Sequence, residues 1–366
     1  MKLGIIGWRG MVGNVLLERM TSEKDFEHWD IELFSTSQAG QSSPEIFNQT
    51  FTLLDAHDLD ALSACDVLIT CQGSGYTQKV HGPLRQKGWN GYFVDASSEL
   101  RMNPDSVLIL DPVNQSVIEQ AISDGKKDFI GPNCTVSLLL MAIGGLIQEG
   151  HVEWVSTMTY QAASGAGAQN MKELVQQWAF MTNHTEELLN DPAQSALAID
   201  KKVREGYAET TFPQNHFGAP LVGNLLPWID SAREEGETRE EWKAMVEANK
   251  IMNLERQLPI DGTCVRIGSL RCHSQGVMLK LTSDIPMNDI EAIVRETTPW
   301  TKWVDNNKEA TIKNLTPAAV TGTLDIPVGR VRKTKLGNEF LNLFTVGDQL
   351  LWGAAEPLRR FLSFIN

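Results

Sequence analysis

The sequence predicts an α/β protein: a doubly wound parallel sheet first, then a mixed α+β domain. Three observations carry this. The first 130 or so residues alternate short apolar runs with helix-like segments, as a sheet covered on both faces requires. Gly7-Trp8-Arg9-Gly10-Met11-Val12-Gly13 stands between the first apolar run and the first helical pattern. Beyond Cys134 the segments lengthen and partly alternate in polarity, which suits strands with one solvated face.

Lys2–Ile6 reads as a strand, Met11–Met20 as a helix and Asp30–Phe34 as the second strand. Asp66–Cys71 follows, then a helix around Gln78–Lys87, then strands at Tyr92–Ala96, Val107–Leu110 and Asp128–Ile130. In the second half, Trp154–Ala162, Val265–His273 and Gly276–Leu281 read as strands. Pro, Gly, Asn and His make Asp191–Gly223 read as irregular. Gly347–Arg360 reads as an amphipathic helix that returns to the first domain. The predicted domains are 1–132 plus roughly 354–366, binding the cofactor, and 133–353, carrying the catalytic groups.

Composition narrows the function. With 366 residues, 42% hydrophobic and 21% charged, the chain is an ordinary globular protein. A net charge of -14 excludes a broad basic surface for nucleic acid, and an anionic substrate would need locally gathered Arg and Lys. No run has the uninterrupted apolar length of a membrane span, and the opening strand-then-glycine is no signal peptide. The 5 cysteines have no framework spacing, so the cytoplasm is the expected compartment. Cys264, Cys272 and His273 match no zinc spacing, and no metal is expected.

The G-x-x-G-x-x-G run is a variant dinucleotide fingerprint. Its glycines allow a tight turn, close approach to a pyrophosphate and close helix–sheet packing. The second strand runs into Phe34-Ser35-Thr36-Ser37-Gln38, with hydroxyls where an NAD enzyme usually keeps an acid, and Arg9 supplies a nearby positive charge. This favours NADP; a plain polar turn is the competing reading. Cys71-Gln72-Gly73-Ser74-Gly75 follows another buried strand, either lining the cofactor pocket or simply turning the chain.

Cys134 stands in Gly131-Pro132-Asn133-Cys134-Thr135-Val136-Ser137, where an apolar strand gives way to a helical pattern. A helix start offers free N–H groups and a positive dipole end, so a thiolate is expected there. Alone, the residue could equally be a small buried cap. Beside a nicotinamide site it suggests aldehyde oxidation through a thioester. Gln161 ends a strand in a loop of small residues, and its amide can bond a substrate carbonyl or carboxylate. Thr238 and Glu241 form a capping-box pattern, and Glu240 and Lys243 share the face that follows. They could form an exposed ion pair, or hold an ammonium and a phosphate. Arg101 after its strand could be a surface arginine or an anion ligand. His273 is a candidate to take the Cys134 proton. It lies seven residues after Arg266, so a straight strand would set them on opposite faces, and a bulge or turn near Gly268 is expected.

The runs GWRGMVG, FSTSQ, CQG, GPNCTVS, YQAASG, REEWK, RCHSQ, LTPAAVTGT and FTVGDQLLWGAAEPLRR span nearly the whole chain. Together they resemble the aspartate-semialdehyde dehydrogenase family, in its Gram-negative bacterial type. The resemblance implies a Rossmann-type cofactor domain, a catalytic and dimerisation domain, and a homodimer. It implies reversible NADP-dependent reductive dephosphorylation of L-4-aspartyl phosphate to L-aspartate 4-semialdehyde. That reaction feeds lysine, methionine, threonine, isoleucine and diaminopimelate biosynthesis. On the matching positions, Cys134 would be the acyl-thioester nucleophile and His273 the acid–base. Gln161, Glu240 and Arg266 would hold the amino-acid portion, with Arg101 and Lys243 on the phosphate. Arg9–Val12, Thr36, Ser37, Gln72, Ser164, Gly165, Pro192 and Gln349 would contact NADP. Pro132 and Ala166 stand where relatives often carry glycine. Two rivals are an N-acetylglutamyl-phosphate-type reductase, which would not need the Glu240 carboxylate, and a non-catalytic NADP-binding regulator, which would not need the thiol.

Overall fold

The computed structural model describes residues 1–366. Its first half comprises β1 (Lys2–Ile6), α1 (Met11–Glu23), β2 (Asp30–Ser35), β3 (Leu54–Asp55), α2 (Leu59–Ser63) and β4 (Val67–Thr70). Next come α3 (Ser74–Gln86), β5 (Tyr92–Asp95), β6 (Ser106–Leu108), α4 (Asp111–Ser123) and β7 (Asp128–Ile130). These strands form a parallel sheet in the order β3-β2-β1-β4-β5-β7-β6. The order reverses between β1 and β4, and such a switch point opens a crevice at the carboxyl ends of the strands. The glycine loop after β1 and the Cys71–Gly73 turn after β4 both lie there.

The second half runs α5 (Cys134–Gln148), β8 (Val152–Gln161), α6 (Ala168–Asn190), α7 (Ala196–Tyr207), β9 (Leu225–Leu226), α8 (Arg239–Met252) and β10 (Ile260–Ile267). It continues with β11 (Cys272–Leu281), α9 (Met287–Glu296), β12 (Thr301–Trp303), α10 (Lys308–Asn314) and α11 (Pro317–Val320). The strands β13 (Ile326–Thr334) and β14 (Gly337–Asp348) precede the last helix, α12 (Glu356–Phe361). The second sheet is mixed, in the order β12-β13-β14-β11-β8-β10-β9. Helix α5 is buried from Thr135 to Ile147 and shares one core with Leu108 and Ile130 of the first half and Leu279 and Leu343 of the second sheet. A helix apolar on every side belongs in such a position.

Three sequence readings need correction. Val265–His273 is not one strand: β10 stops at Ile267 and β11 starts at Cys272. The two flank β8, one parallel and one antiparallel to it, and the loop between them crosses its end, accepting the N–H groups of Ala163 and Ser164. Alternation in polarity continues through a turn, so the pattern alone could not see the reversal. Asp191–Gly223 is not irregular throughout, because Ala196–Tyr207 is helical, with Ser195 accepting the Ala198 N–H. Its Pro and Gly residues bracket a run of helix formers. Gly347 and Asp348 end β14 instead of opening a helix, and Leu351–Ala355 winds as a π-helix before α12. Leu358 and Phe361 then pack with Leu3, Ile5 and Leu16, which returns the chain end to the first sheet. Helix α6 and the long strands β13 and β14 were not identified from the sequence. No helix is long and apolar enough to cross a membrane.

Candidate active site

Strand β7 ends at Ile130, and Asn133 starts α5 by accepting the N–H groups of Thr135 and Val136 on Oδ1, at 2.9 and 3.2 Å. This cap fixes Cys134 as the first helical residue. Its Sγ lies 3.2 Å from His273 Nε2. His273 is fully buried at the start of β11, and its Nδ1 accepts the Ala162 N–H at 2.9 Å. The neutral ring therefore carries its proton on Nε2 and meets the sulfur as a donor. Burial and Glu240 push the Cys134 thiol up to about 12, while Arg101, Arg266 and Lys243 pull the other way. Burial and Arg266 hold His273 well below 6.5. The resting pair is a neutral thiol beside a neutral imidazole. The thiolate expected from the helix start is thus not the resting form: burial is the largest influence on the thiol, and Asn133 already occupies two of the N–H groups.

The ends of β8, β10 and β11 bring Gln161, Arg266 and His273 together. Arg266 Nη1 donates to Ala162 O at 2.7 Å. Opposite them, the capping box of Thr238 and Glu241 starts α8 and turns Glu240 and Lys243 inward. This is no exposed ion pair. Glu240 accepts from Asn133 Nδ2 at 3.0 Å, Gln161 Nε2 at 3.3 Å and Lys243 Nζ at 3.0 Å. Burial works to raise the Glu240 carboxyl, but Lys243, Asn133 and Arg266 outweigh it and hold it below the usual carboxylate range. Lys243 is raised despite its burial, because Glu240 and Asp230 both face it. Arg101 is buried, with Nε on Gly131 O at 2.8 Å and Nη1 on Glu247 Oε1 at 3.2 Å. Asp95 braces the loop that carries Arg101 by accepting from Ser97 N, Ser97 Oγ and Thr77 Oγ1.

Cys134, Arg101, Gln161, Glu240, Lys243 and Arg266 all open onto one cavity of about 550 Å³. Met11, Val12, Ser164, Gly165 and Gln349 form more of its wall. Space beside Cys134 and Arg266 depends on two glycines. A Cβ on Gly353 would lie 2.7 Å from Cys134 Cβ, and one on Gly165 would lie 3.0 Å from Arg266 Nη1.

A second cavity, of about 350 Å³, holds Gly7, Arg9, Gly10, Thr36 and Gln72. Gly7 has φ +77, and a Cβ on Gly13 would stand 2.3 Å from Gly7 O, so both glycines are required by geometry. No side chain caps the start of α1, which leaves its N–H groups for a phosphate. Arg9 Nη2 reaches Ser35 Oγ and Ser37 Oγ, each at 3.1 Å, and Nη1 bonds Gln38. The loop, the open helix start and the guanidinium on hydroxyls fit a nicotinamide dinucleotide with a 2′-phosphate. Pro192 lies in the exposed turn between α6 and α7 and enters neither cavity. Sequence reasoning did not single out Asn133, Asp230, Glu247 or Gly353. Glu247 had a signal, four residues after Lys243 on the same helical face; Asp230 had none.

The family model described as "Semialdehyde dehydrogenase, NAD binding domain" matches residues 2–121, and "Semialdehyde dehydrogenase, dimerisation domain" matches residues 143–352. The structure of aspartate semialdehyde dehydrogenase from Francisella tularensis is 48% identical, covering 100% of this chain and 99% of that one at a TM-score of 0.96. Aspartate semialdehyde dehydrogenase II from Vibrio cholerae, complexed with ASA, shares the fold at 23% identity and a TM-score of 0.81, over 100% of this chain and 97% of that one. The enzyme from Candida albicans with NADP shares it at 16% identity and a TM-score of 0.65, again over 100% and 97%.

Proposed function

The chain belongs to the semialdehyde dehydrogenase family, and from that premise we propose that it interconverts L-4-aspartyl phosphate and L-aspartate 4-semialdehyde with NADP. The observation that carries this reading is the Cys134–His273 contact of 3.2 Å, facing a cavity lined by Arg101, Lys243 and Arg266 together with the buried acid Glu240. An otherwise acidic protein has concentrated its cations where an anion must enter.

Glu240 receives the substrate ammonium, a contact that an acetylated amine would not need. Arg266 pairs with the α-carboxylate and Gln161 steadies the chain between them. Arg101 and Lys243 hold the phosphate. Sulfur attacks the acyl carbon, the acyl–oxygen bond breaks, and the thiol proton leaves with the phosphate. His273, which carries its proton on Nε2, donates it toward Sγ and so holds the negative charge that builds on sulfur as the thiol proton departs. The Gly7–Gly13 loop, Arg9, Thr36, Ser37, Gln72, Ser164, Gly165 and Gln349 would hold NADP(H), which would supply or accept the hydride; the C–S bond then breaks, freeing the semialdehyde and the sulfur. Gly165 and Gly353 keep the reacting carbon's surroundings open.

Residues 1–132 with 354–366 act as the cofactor domain and 133–353 as the catalytic and dimerisation domain. A homodimer would cover the face of the second sheet turned from α5, where Met158 is 40% exposed and Tyr160 and Phe344 are half-buried. All five cysteines are unpaired, which suits the cytoplasm. The test is phosphate-dependent NADP reduction with L-aspartate semialdehyde, beside N-acetylglutamate semialdehyde and beside NAD. Turnover confined to the first aldehyde with NADP is expected. Silence on both aldehydes, with NADP still bound, would overturn the reading.

A further inference from the structure

We propose that Asp230 is a displaceable counter-ion, which occupies Lys243 until phosphate takes its place and so sets the phosphate affinity of the site. This rests on the reading of Lys243 as an anion ligand. Lys243 Nζ meets two carboxylates, Asp230 Oδ2 at 2.7 Å and Glu240 Oε2 at 3.0 Å. Together they leave the ammonium one free donor and no net positive charge for an incoming anion.

The two acids are held differently. Glu240 sits in α8, buried, and is tied to Asn133 and Gln161 as well. Asp230 lies outside helix and strand on the cavity wall, with its side chain 30% exposed. Its remaining carboxylate bond runs only to its neighbour, Ser231 N, at 2.8 Å. Arg101 is also paired, with Glu247, but that acid is buried and accepts Asn133 N at 2.6 Å on its other oxygen. Glu247 therefore cannot leave without loosening the start of α5. Asp230 is the acid beside these cations with solvent next to it and no second element holding it. Its backbone, at φ +72, is left-handed, an unusual setting for a residue other than glycine. Such strain is tolerated where the surrounding structure fixes a side chain for a purpose. Here it aims the carboxylate at Lys243. A phosphate oxygen that replaces it meets the same ammonium, with Glu240 still its other partner.

The substitution D230N tests this, because Asn accepts the left-handed backbone and keeps the size of the side chain. Two quantities are measured at low ionic strength in the full-length enzyme. One is the KM for inorganic phosphate in the oxidative direction; the other is the phosphate concentration that half-protects Cys134 from iodoacetamide. Both are expected to fall about two- to fivefold, the scale of one partly exposed charge contact. The KM for semialdehyde should move much less. An unchanged or raised phosphate KM overturns the proposal, the raised value meaning that Asp230 steadies Lys243. A K243M variant separates the failures. If it leaves phosphate half-saturation unchanged, the anion-ligand reading of Lys243 itself fails. If it raises half-saturation while D230N does not lower it, only the counter-ion role of Asp230 falls.

Discussion

Helices α1 and α5 both begin at the wall of the main cavity, and they begin in opposite ways. α1 follows Gly10 with no side chain on its first N–H groups, whereas α5 follows Asn133, which takes up two of them. The first start is left open for an anion that arrives from outside. The second is closed by its own residue, and what it offers is position: Cys134 held 3.2 Å from His273 Nε2. A helix N-terminus can thus be a binding seat or a fixed mount, and the cap residue decides which.

The sharpest break in this comparison is Cys134→Ala. Removing the proposed nucleophile should lower turnover roughly a thousandfold or more, while NADP titration stays near that of the wild-type protein because the α1 start is untouched. An active alanine variant would reduce the α5 start to a packing feature. Next in size is the pH dependence of Cys134 alkylation in the free enzyme. With the thiol pushed up to about 12, the reactive thiolate grows with pH across the neutral range. The iodoacetamide rate should rise about a hundredfold from about pH 7 to about pH 9, tenfold per unit. A plateau beginning near neutrality would restore the dipole-stabilised thiolate and erase the contrast.

At the open start, Arg9→Gln removes a charge-assisted contact to the hydroxyls that end β2. NADP affinity should drop by about tenfold and NAD affinity much less, as read by nicotinamide fluorescence. Equal losses for both would mean that Arg9 braces the loop and does not read the 2′-phosphate. The smallest effect belongs to the cap itself. Asn133→Ala should destabilise the fold by about 1 kcal/mol, seen in thermal melts, with a further loss of turnover because Glu240 loses its Asn133 contact. A Gly10 variant with a capping side chain, Gly10→Ser, should instead weaken the cofactor and leave the melt nearly unchanged.

Much of the first sheet was legible because its signals are local. Glycines that need positive φ, an apolar run of strand length and a helix-period pattern act within a few residues of one another, and the structure keeps β1, β2, β4, β5 and β7 within about a residue of the expected bounds. The capping box at Thr238 was legible for the same reason. The candidate site was legible as an inventory, through motif runs around Cys134, Gln161, Glu240, Arg266 and His273. Its arrangement was not. The break between β10 and β11, which brings Arg266 and His273 to one end of the sheet, exists because the chain crosses the end of β8. The seven-residue spacing and Gly268 pointed to the turn, which the structure has between Ile267 and Cys272, but nothing within Val265–His273 records which strand it crosses.

By itself, then, the sequence determined which groups this protein owns and how its backbone starts and stops locally. The tertiary structure decided their charge states and their partners. It makes the resting thiol neutral, keeps Glu240 ionised in a buried place, and sets Asp230 against Lys243 and Glu247 against Arg101. Turn and helix propensities are settled by neighbours in the chain, but desolvation and Coulomb energy depend on whatever is nearest in space, across separations such as the 139 positions between Cys134 and His273.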